Sequence, residues 1–199
     1  MKANTPFRTL SSKIVYETPW MRVREDSVIR PDGTSGIYGV MESEDSVVIL
    51  ALNNLGEIYL IKSYSYPAEG WSWTLPGGGG NGEDPEIAAK RELVEETGIE
   101  ASNWSTLGNT RIAGGLITER TSFHLAQNLL FKERADADDK ELIEKGKFVA
   151  FSDIEKMIVS GEINDCQTIT GFYFIRTLYA ERVTIGARQD EESISSRSS

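Results

Sequence analysis

With 199 residues, the chain is long enough for one domain with a proper core, or for one domain carrying a small added sheet. Its formal net charge of −10 argues against broad nucleic-acid binding, which needs a basic footprint, yet leaves room for a phosphate ligand because bound cations reverse the local field. A single cysteine, Cys166, permits no internal disulfide and reads as a small buried or half-buried thiol. With no leader-like apolar stretch in Met1–Arg8 and no run of membrane-spanning length, a cytoplasmic location is expected.

In chain order, residues from about Lys13 to Glu42 read as short strands, with Pro31–Gly36 as a hairpin turn between Met21–Arg30 and Ile37–Met41. This segment, 1–44, is too small to be stable alone and needs a partner surface. The apolar runs Val47–Leu52 and Ile58–Ile61 predict two strands joined by a turn at Asn53–Gly56. A helix from about Glu86 to Thr97 follows, with Asp84 as N-cap, Pro85 in its first turn and Gly98 as its stop. Strands are expected near Trp104–Ile112, Ser122–Phe131 and Phe148–Phe151. Ser152 is the expected N-cap of a short helix, Asp153–Ser160, ended by Gly161. A last helix runs from about Cys166 to Val183, apolar along Ile169, Phe172, Tyr173, Ile175, Leu178 and Tyr179. The main domain is thus 45–185, and the polar tail 186–199 is expected to be disordered. Strands and helices interleaved in this way predict an α/β fold whose mixed sheet is covered on both faces.

The helix after the glycines carries the chemistry. Glu92, Glu95 and Glu96 fall at i, i+3 and i+4 and share a face, while Ile87, Leu93 and Val94 point broadly the other way, toward a core. Acidic helix faces are usually only solvated. Here, however, Gly77–Gly80 directly precede the helix and allow backbone to approach a metal ion or a diphosphate without obstruction. Clustered carboxylates suit Mg²⁺ or Mn²⁺, which retain waters and bridge to phosphates.

The full string, Gly77-x5-Glu83-x7-Arg91-Glu92-Leu93-x-Glu95-Glu96-x-Gly98-Ile99, fills all nine fixed positions over 23 residues. It resembles the Nudix box, the signature of hydrolases acting on nucleoside diphosphates linked to another moiety. Beyond the box, most of residues 13 to 183 look like the ADP-ribose and ADP-sugar pyrophosphatase branch. The similar segments are Tyr64-Ser-Tyr-Pro67 with Trp73-Thr-Leu-Pro-Gly77, Gly115-Leu-Ile-Thr-Glu119 ahead of Phe123-His-Leu-Ala126, and Ser152-Asp-Ile-Glu with Gly161-Glu-Ile-Asn-Asp165.

The resemblance implies a Nudix α/β/α sandwich plus a small N-terminal antiparallel sheet exchanged between two subunits of a homodimer. It puts metal ions on Glu92 and Glu96, with Glu95 as a further ligand or hydrogen-bond partner and the Pro76 carbonyl completing the shell. Arg91 would hold a glutamate, Glu83 would pin the loop, and Gly98 would end the helix. Gly77, Gly78 and Glu119 would lie by the substrate, and Trp20 and Tyr38 match the positions that stack on the base. Their alternative is an amphipathic cover at a dimer interface. The general base would come from the box, as Glu95, or from the loop before the Phe148 strand, its usual source in this branch, where Glu144 and Glu141 are the candidates.

Two departures concern the substrate: Ser65 stands where the branch commonly has an arginine, and Thr74 where it commonly has an acid. Arg22, Arg24, Lys62 and Arg111 are the basic residues that could compensate. The sole histidine, His124, reads as structural, and Trp71 and Trp73 as core or dimer contacts. Hydrolysis of ADP-ribose or a related nucleoside diphosphate sugar is therefore the expectation. Its rivals are a hydrolase preferring GDP-mannose or another nucleotide sugar, and a sensor that binds such a ligand without turnover.

Overall fold

The computed structural model describes residues 6–132 and 143–178. Three sheets organise them. The strands β1 (Arg8–Glu17), β2 (Met21–Ile29) and β3 (Ser35–Ser43) form an antiparallel N-terminal sheet in that order. The strand β4 (Ser46–Ala51) is central to a mixed sheet with β7 (Gly77–Gly79), β8 (Ile99–Arg111) and β9 (Arg120–Phe131), ordered β7-β4-β9-β8. Only the β4–β9 pairing is parallel there. The third sheet is antiparallel, β10 (Ile143–Ala150) beside β5 (Glu57–Ser65) beside β6 (Gly70–Thr74).

The unbroken apolar run of β4 is explained by burial on both faces. Val47, Ile49 and Ala51 pack with Ala88, Ala89 and Leu93 of α1 (Pro85–Thr97). Val48, Leu50 and Leu52 turn the other way. They pack with Ile154 and Met157 of α2 (Phe151–Ser160) and with Phe172 and Ile175 of α3, the helix through 166–178. The result is the expected α/β/α sandwich with its added N-terminal sheet. Among the described residues, no helix is long and apolar enough to cross a membrane.

Local signals account for α1. The Asp84 carboxylate accepts from the Glu86 N–H at 3.0 Å, Pro85 occupies the first turn, and Gly98 closes the helix at φ 69° by donating to the Val94 carbonyl at 2.9 Å. The turn Asn53–Gly56 forms because the Asn53 side-chain oxygen accepts from the N–H groups of Leu55 and Glu57, each at 2.9 Å.

Several expectations need correction. The first strand starts at Arg8 rather than Lys13, and β6 and β7 add two strands that composition does not announce. The α2 cap is Ala150 with no side-chain cap bond, so Ser152 lies inside the helix. Ile87 and Val94 are exposed instead of facing the core; the small Ala88 and Ala89 let α1 approach the sheet closely and bury Glu92 and Glu96 beside Leu93. The end of the last helix near Val183 and the tail 186–199 lie outside the described residues.

Candidate functional site

The glycine stretch is a short strand. Gly77, Gly78 and Gly79 pair with Val48, Val47 and Ser46 of β4, and this edge supports the carboxylates of α1 from below. The Gly77 N–H donates to Glu96 Oε2 at 2.8 Å. At Gly78 a Cβ would fall 2.6 Å from the Glu92 carboxylate, so the missing side chain is the space that carboxylate occupies. Upstream, the Leu75 N–H donates to the Thr168 hydroxyl of α3 at 3.0 Å, and the Pro76 carbonyl accepts from the Ile49 N–H at 2.8 Å. The chain entering the box is therefore tied to both layers of the core.

Arg91 gathers the remaining box acids. Its Nη1 donates to Glu92 Oε1 at 2.7 Å and to Glu95 Oε2 at 3.0 Å, its Nε to Glu83 Oε2 at 3.1 Å, and its Nη2 to the Gly79 carbonyl at 3.0 Å. Partial burial alone would lower the pKa of the guanidinium; the carboxylates of Glu92, Glu83 and Glu95 outweigh it and raise the value. Glu92 and Glu96 are each 8% exposed, while Glu95 projects into solvent.

In kind, these donors fit a hard divalent cation: two buried carboxylates, an exposed third, and a carbonyl with one lone pair left after its bond to Ile49. Among the described residues, no three acidic, histidine or cysteine side chains close into a ready-made cage. Such a shell suits an ion that keeps water and takes further oxygens from a phosphate.

The other expected residues are distributed unevenly. Glu119 Oε2 accepts from the Ser43 hydroxyl at 3.2 Å, at the junction of β3 with the main domain. Tyr38, on β3, donates its hydroxyl to the Gly115 carbonyl at 2.9 Å, and its ring makes a T-shaped contact with Phe7, centroids 5.9 Å apart. Trp20 is 80% exposed in the turn between β1 and β2. Glu144 lies on β10, paired with β5. It faces Lys62 at 3.4 Å on the side of β5 that carries Leu60, whereas Ile143 and Ile61 turn toward the α1 cluster. Glu141 lies outside the described residues.

Of the basic residues considered as replacements for an arginine at position 65, Arg22 and Arg24 are both engaged by Glu42, and Arg24 also by Asp26. Lys62 lies on the face of β5 opposite Ser65, over the Trp71 ring at 5.7 Å. Two contributors carry no signal that spacing could reveal. One is Thr168, the buried hydroxyl of α3. The other is Asp45, whose backbone carbonyl accepts from Gly80 N–H at 2.8 Å and whose side chain accepts from Arg120 N–H at 2.9 Å.

His124 is buried in β9, with Nε2 3.0 Å from the Ser122 hydroxyl, and fits the structural role expected of it. Desolvation lowers its pKa below the ordinary 6.5, against weaker opposing pulls from Glu86 and Asp84. Between the folded and unfolded pKa values, the unfolded chain binds more protons, so this contribution to stability is full above pH 6.5 and is lost as pH falls toward the folded value. Because the sequence has one histidine, a single imidazole signal is expected by NMR, titrating below the free value in step with a falling Tm. A midpoint at or above 6.5 would contradict its desolvation.

Comparison with known proteins gives consistent matches. The model of the NUDIX domain matches residues 42–164, and that of the nucleoside diphosphate sugar hydrolase N-terminal domain matches residues 7–41. The chain is 29% identical over 189 residues to an ADP-ribose pyrophosphatase of Mycobacterium tuberculosis, spanning 94% of this chain and 89% of that protein. It is 25% identical over 171 residues to an ADP-ribose pyrophosphatase of Bacillus subtilis, spanning 85% and 92%. A crystal structure of an ADP compounds hydrolase superposes with a TM-score of 0.78 at 19% identity, over 92% of this chain and 98% of that one, a likeness of fold.

Proposed function

We propose, from the premise that this chain belongs to the Nudix family, that it hydrolyses the diphosphate of ADP-ribose or a closely related nucleoside diphosphate sugar, giving a nucleoside monophosphate and a sugar phosphate. The observation that carries this reading is the pair of buried carboxylates, Glu92 and Glu96, held against the backbone of Gly77 and Gly78. The two relatives named as ADP-ribose pyrophosphatases, matched over most of both chains, support the choice of substrate.

Glu92, Glu96, Glu95 and the Pro76 carbonyl would hold Mg²⁺ or Mn²⁺. When bound, such a cation supplies Lewis acidity, lowering the pKa of water and neutralising charge on the bridging oxygen. The chain's own part is preorganisation. Arg91 fixes Glu92 and Glu95 in one arrangement, the Gly77 N–H fixes Glu96, and the bare Gly78 leaves the space that the Glu92 carboxylate occupies. Water adds to one phosphorus, the bond from that phosphorus to the bridging oxygen breaks, and the released proton goes to a carboxylate. Glu95 is the exposed acid beside the buried pair and suits that role.

The proposed enzyme is a cytoplasmic homodimer. The N-terminal sheet leaves Leu10 56%, Ile14 46%, Val15 50% and Ile37 66% exposed, an apolar surface that a second copy would cover. Segment 1–44 would supply base binding and assembly, and 45–185 the chemistry. Trp20→Ala should then raise KM about tenfold with kcat and Tm little changed, since one stacked base contributes about 1–3 kcal/mol and the residue is exposed. An unchanged KM would remove the stacking role. Initial rates with Mg²⁺ across ADP-ribose, ADP-glucose, GDP-mannose and UDP-glucose test the substrate. The highest kcat/KM is expected for ADP-ribose, and a preference for GDP-mannose would move the assignment to the guanine sugars.

A further inference from the structure

The loop that carries Glu119 is sewn to β3. Tyr38 Oη donates to the Gly115 carbonyl at 2.9 Å, Met41 N–H to the Leu116 carbonyl at 2.9 Å, and Thr118 N–H back to the Met41 carbonyl at 3.0 Å. Met41 and Ile117 form an isolated parallel bridge, and the Ser43 hydroxyl reaches Glu119 Oε2 at 3.2 Å. Every one of these contacts joins the N-terminal sheet to the same chain's main domain. Main-chain bonds tie Leu116 and Thr118 to Met41, Ser43 meets the loop at Glu119, and at its first residue, Gly115, the tie to β3 is the hydroxyl of Tyr38. With that hydroxyl occupied and Phe7 in T-shaped contact with the ring, the side chain is held at both its ring and its tip.

We infer that Tyr38 is a positioning residue, whose hydroxyl holds the Gly115–Glu119 loop so that the Glu119 carboxylate is presented to the substrate. This rests on the reading of Glu119 as a substrate contact in a nucleotide-sugar hydrolase. It differs from a stacking role for Tyr38 in one decisive respect: stacking needs only the ring, whereas bracing needs the hydroxyl. The N-terminal sheet then shapes the site of its own chain, whatever it offers to a second copy.

The test is Tyr38→Phe in the full chain, which keeps the ring and deletes the bond. Loss of one hydrogen bond of ordinary strength predicts hydrogen exchange at the Thr118 amide about fivefold faster and a KM about fivefold higher, with kcat within about twofold. A Tm close to that of the wild type separates loop release from unfolding. In a Glu119→Gln background, the same substitution should add nothing further to KM, because the group it positions is gone. Unchanged exchange, an unchanged KM, or a full additive effect in the Glu119→Gln background each overturns the inference. The exchange measurement requires no substrate. If the wild-type chain turned over no nucleotide sugar, the functional reading would fall, and unchanged exchange in Tyr38→Phe would separately dispose of the brace.

Discussion

Glu96→Gln will lower kcat about a thousandfold or more while leaving the fold in place. The carboxylate is buried, it sits i+4 from Glu92, and its Oε2 accepts from the Gly77 N–H. Glutamine keeps the length and the carbonyl oxygen, so the bond from Gly77 can persist and the packing beside Leu93 is unchanged in volume. What it removes is a negative charge and a hard oxygen ligand from a site expected to hold a divalent cation. Losing that cation forfeits several kcal/mol of transition-state stabilisation, and about 4 kcal/mol corresponds to a thousandfold in rate. The check is single-turnover kinetics at saturating Mg²⁺ beside a thermal melt. A variant with near-normal kcat would eliminate the proposed metal site, and one with a collapsed Tm would make Glu96 a structural residue instead.

Gly77→Ala will be the most destabilising of the glycine substitutions near the site. A Cβ there would lie 2.3 Å from the Val47 carbonyl oxygen and 3.1 Å from Val48 Cα. Both atoms belong to the main chain of β4, which is pinned between β7 and β9 with packed clusters on both faces. No side chain can swing away, so β7 must separate from β4 at a cost of about 3 kcal/mol, the upper part of the range for overpacking. The same shift withdraws the N–H that holds Glu96, so activity falls with stability. Urea unfolding reads the effect as a lower midpoint with an unchanged slope. Gly39→Ala on β3 meets nothing within 4 Å and serves as the control, with a change of no more than about 0.5 kcal/mol. Equal midpoints for the two variants would contradict the close seating of β7 on β4.

Much of this arrangement was legible in the sequence because the relevant signals are local. Asp84, Pro85 and Gly98 bracket α1 by their backbone chemistry, and the i, i+3, i+4 spacing brings the three glutamates together before any tertiary structure is known. The apolar run of β4 announces a strand covered on both sides. What escaped depends on tertiary context. Three glycines have no tendency to form a strand, and Gly77–Gly79 becomes β7 because the edge of β4 offers the pairing. Helical spacing orders the α1 side chains around the axis but does not say how close the helix lies to the sheet. Ala88 and Ala89 decide that, and they send Glu92 and Glu96 inward while Ile87 and Val94 face water. The orientation of Glu144 was equally out of reach. It follows from its register opposite Lys62, with the ladder irregular between Glu144 and Lys147. Tyr38 was legible as an aromatic residue beside glycines, but its hydroxyl contact with a carbonyl 77 positions away was not.

The measurement that bears most directly on the whole reading is chromatographic analysis of the products from ADP-ribose, incubated with the wild-type chain and Mg²⁺, then again after chelation. The expected result is AMP and ribose 5-phosphate in equal amounts, formed only while the cation is available and not by Glu96→Gln. Intact ADP-ribose with Mg²⁺ or Mn²⁺ present, in a protein that nonetheless binds it, would contradict hydrolysis and make the chain a nucleotide-sugar sensor.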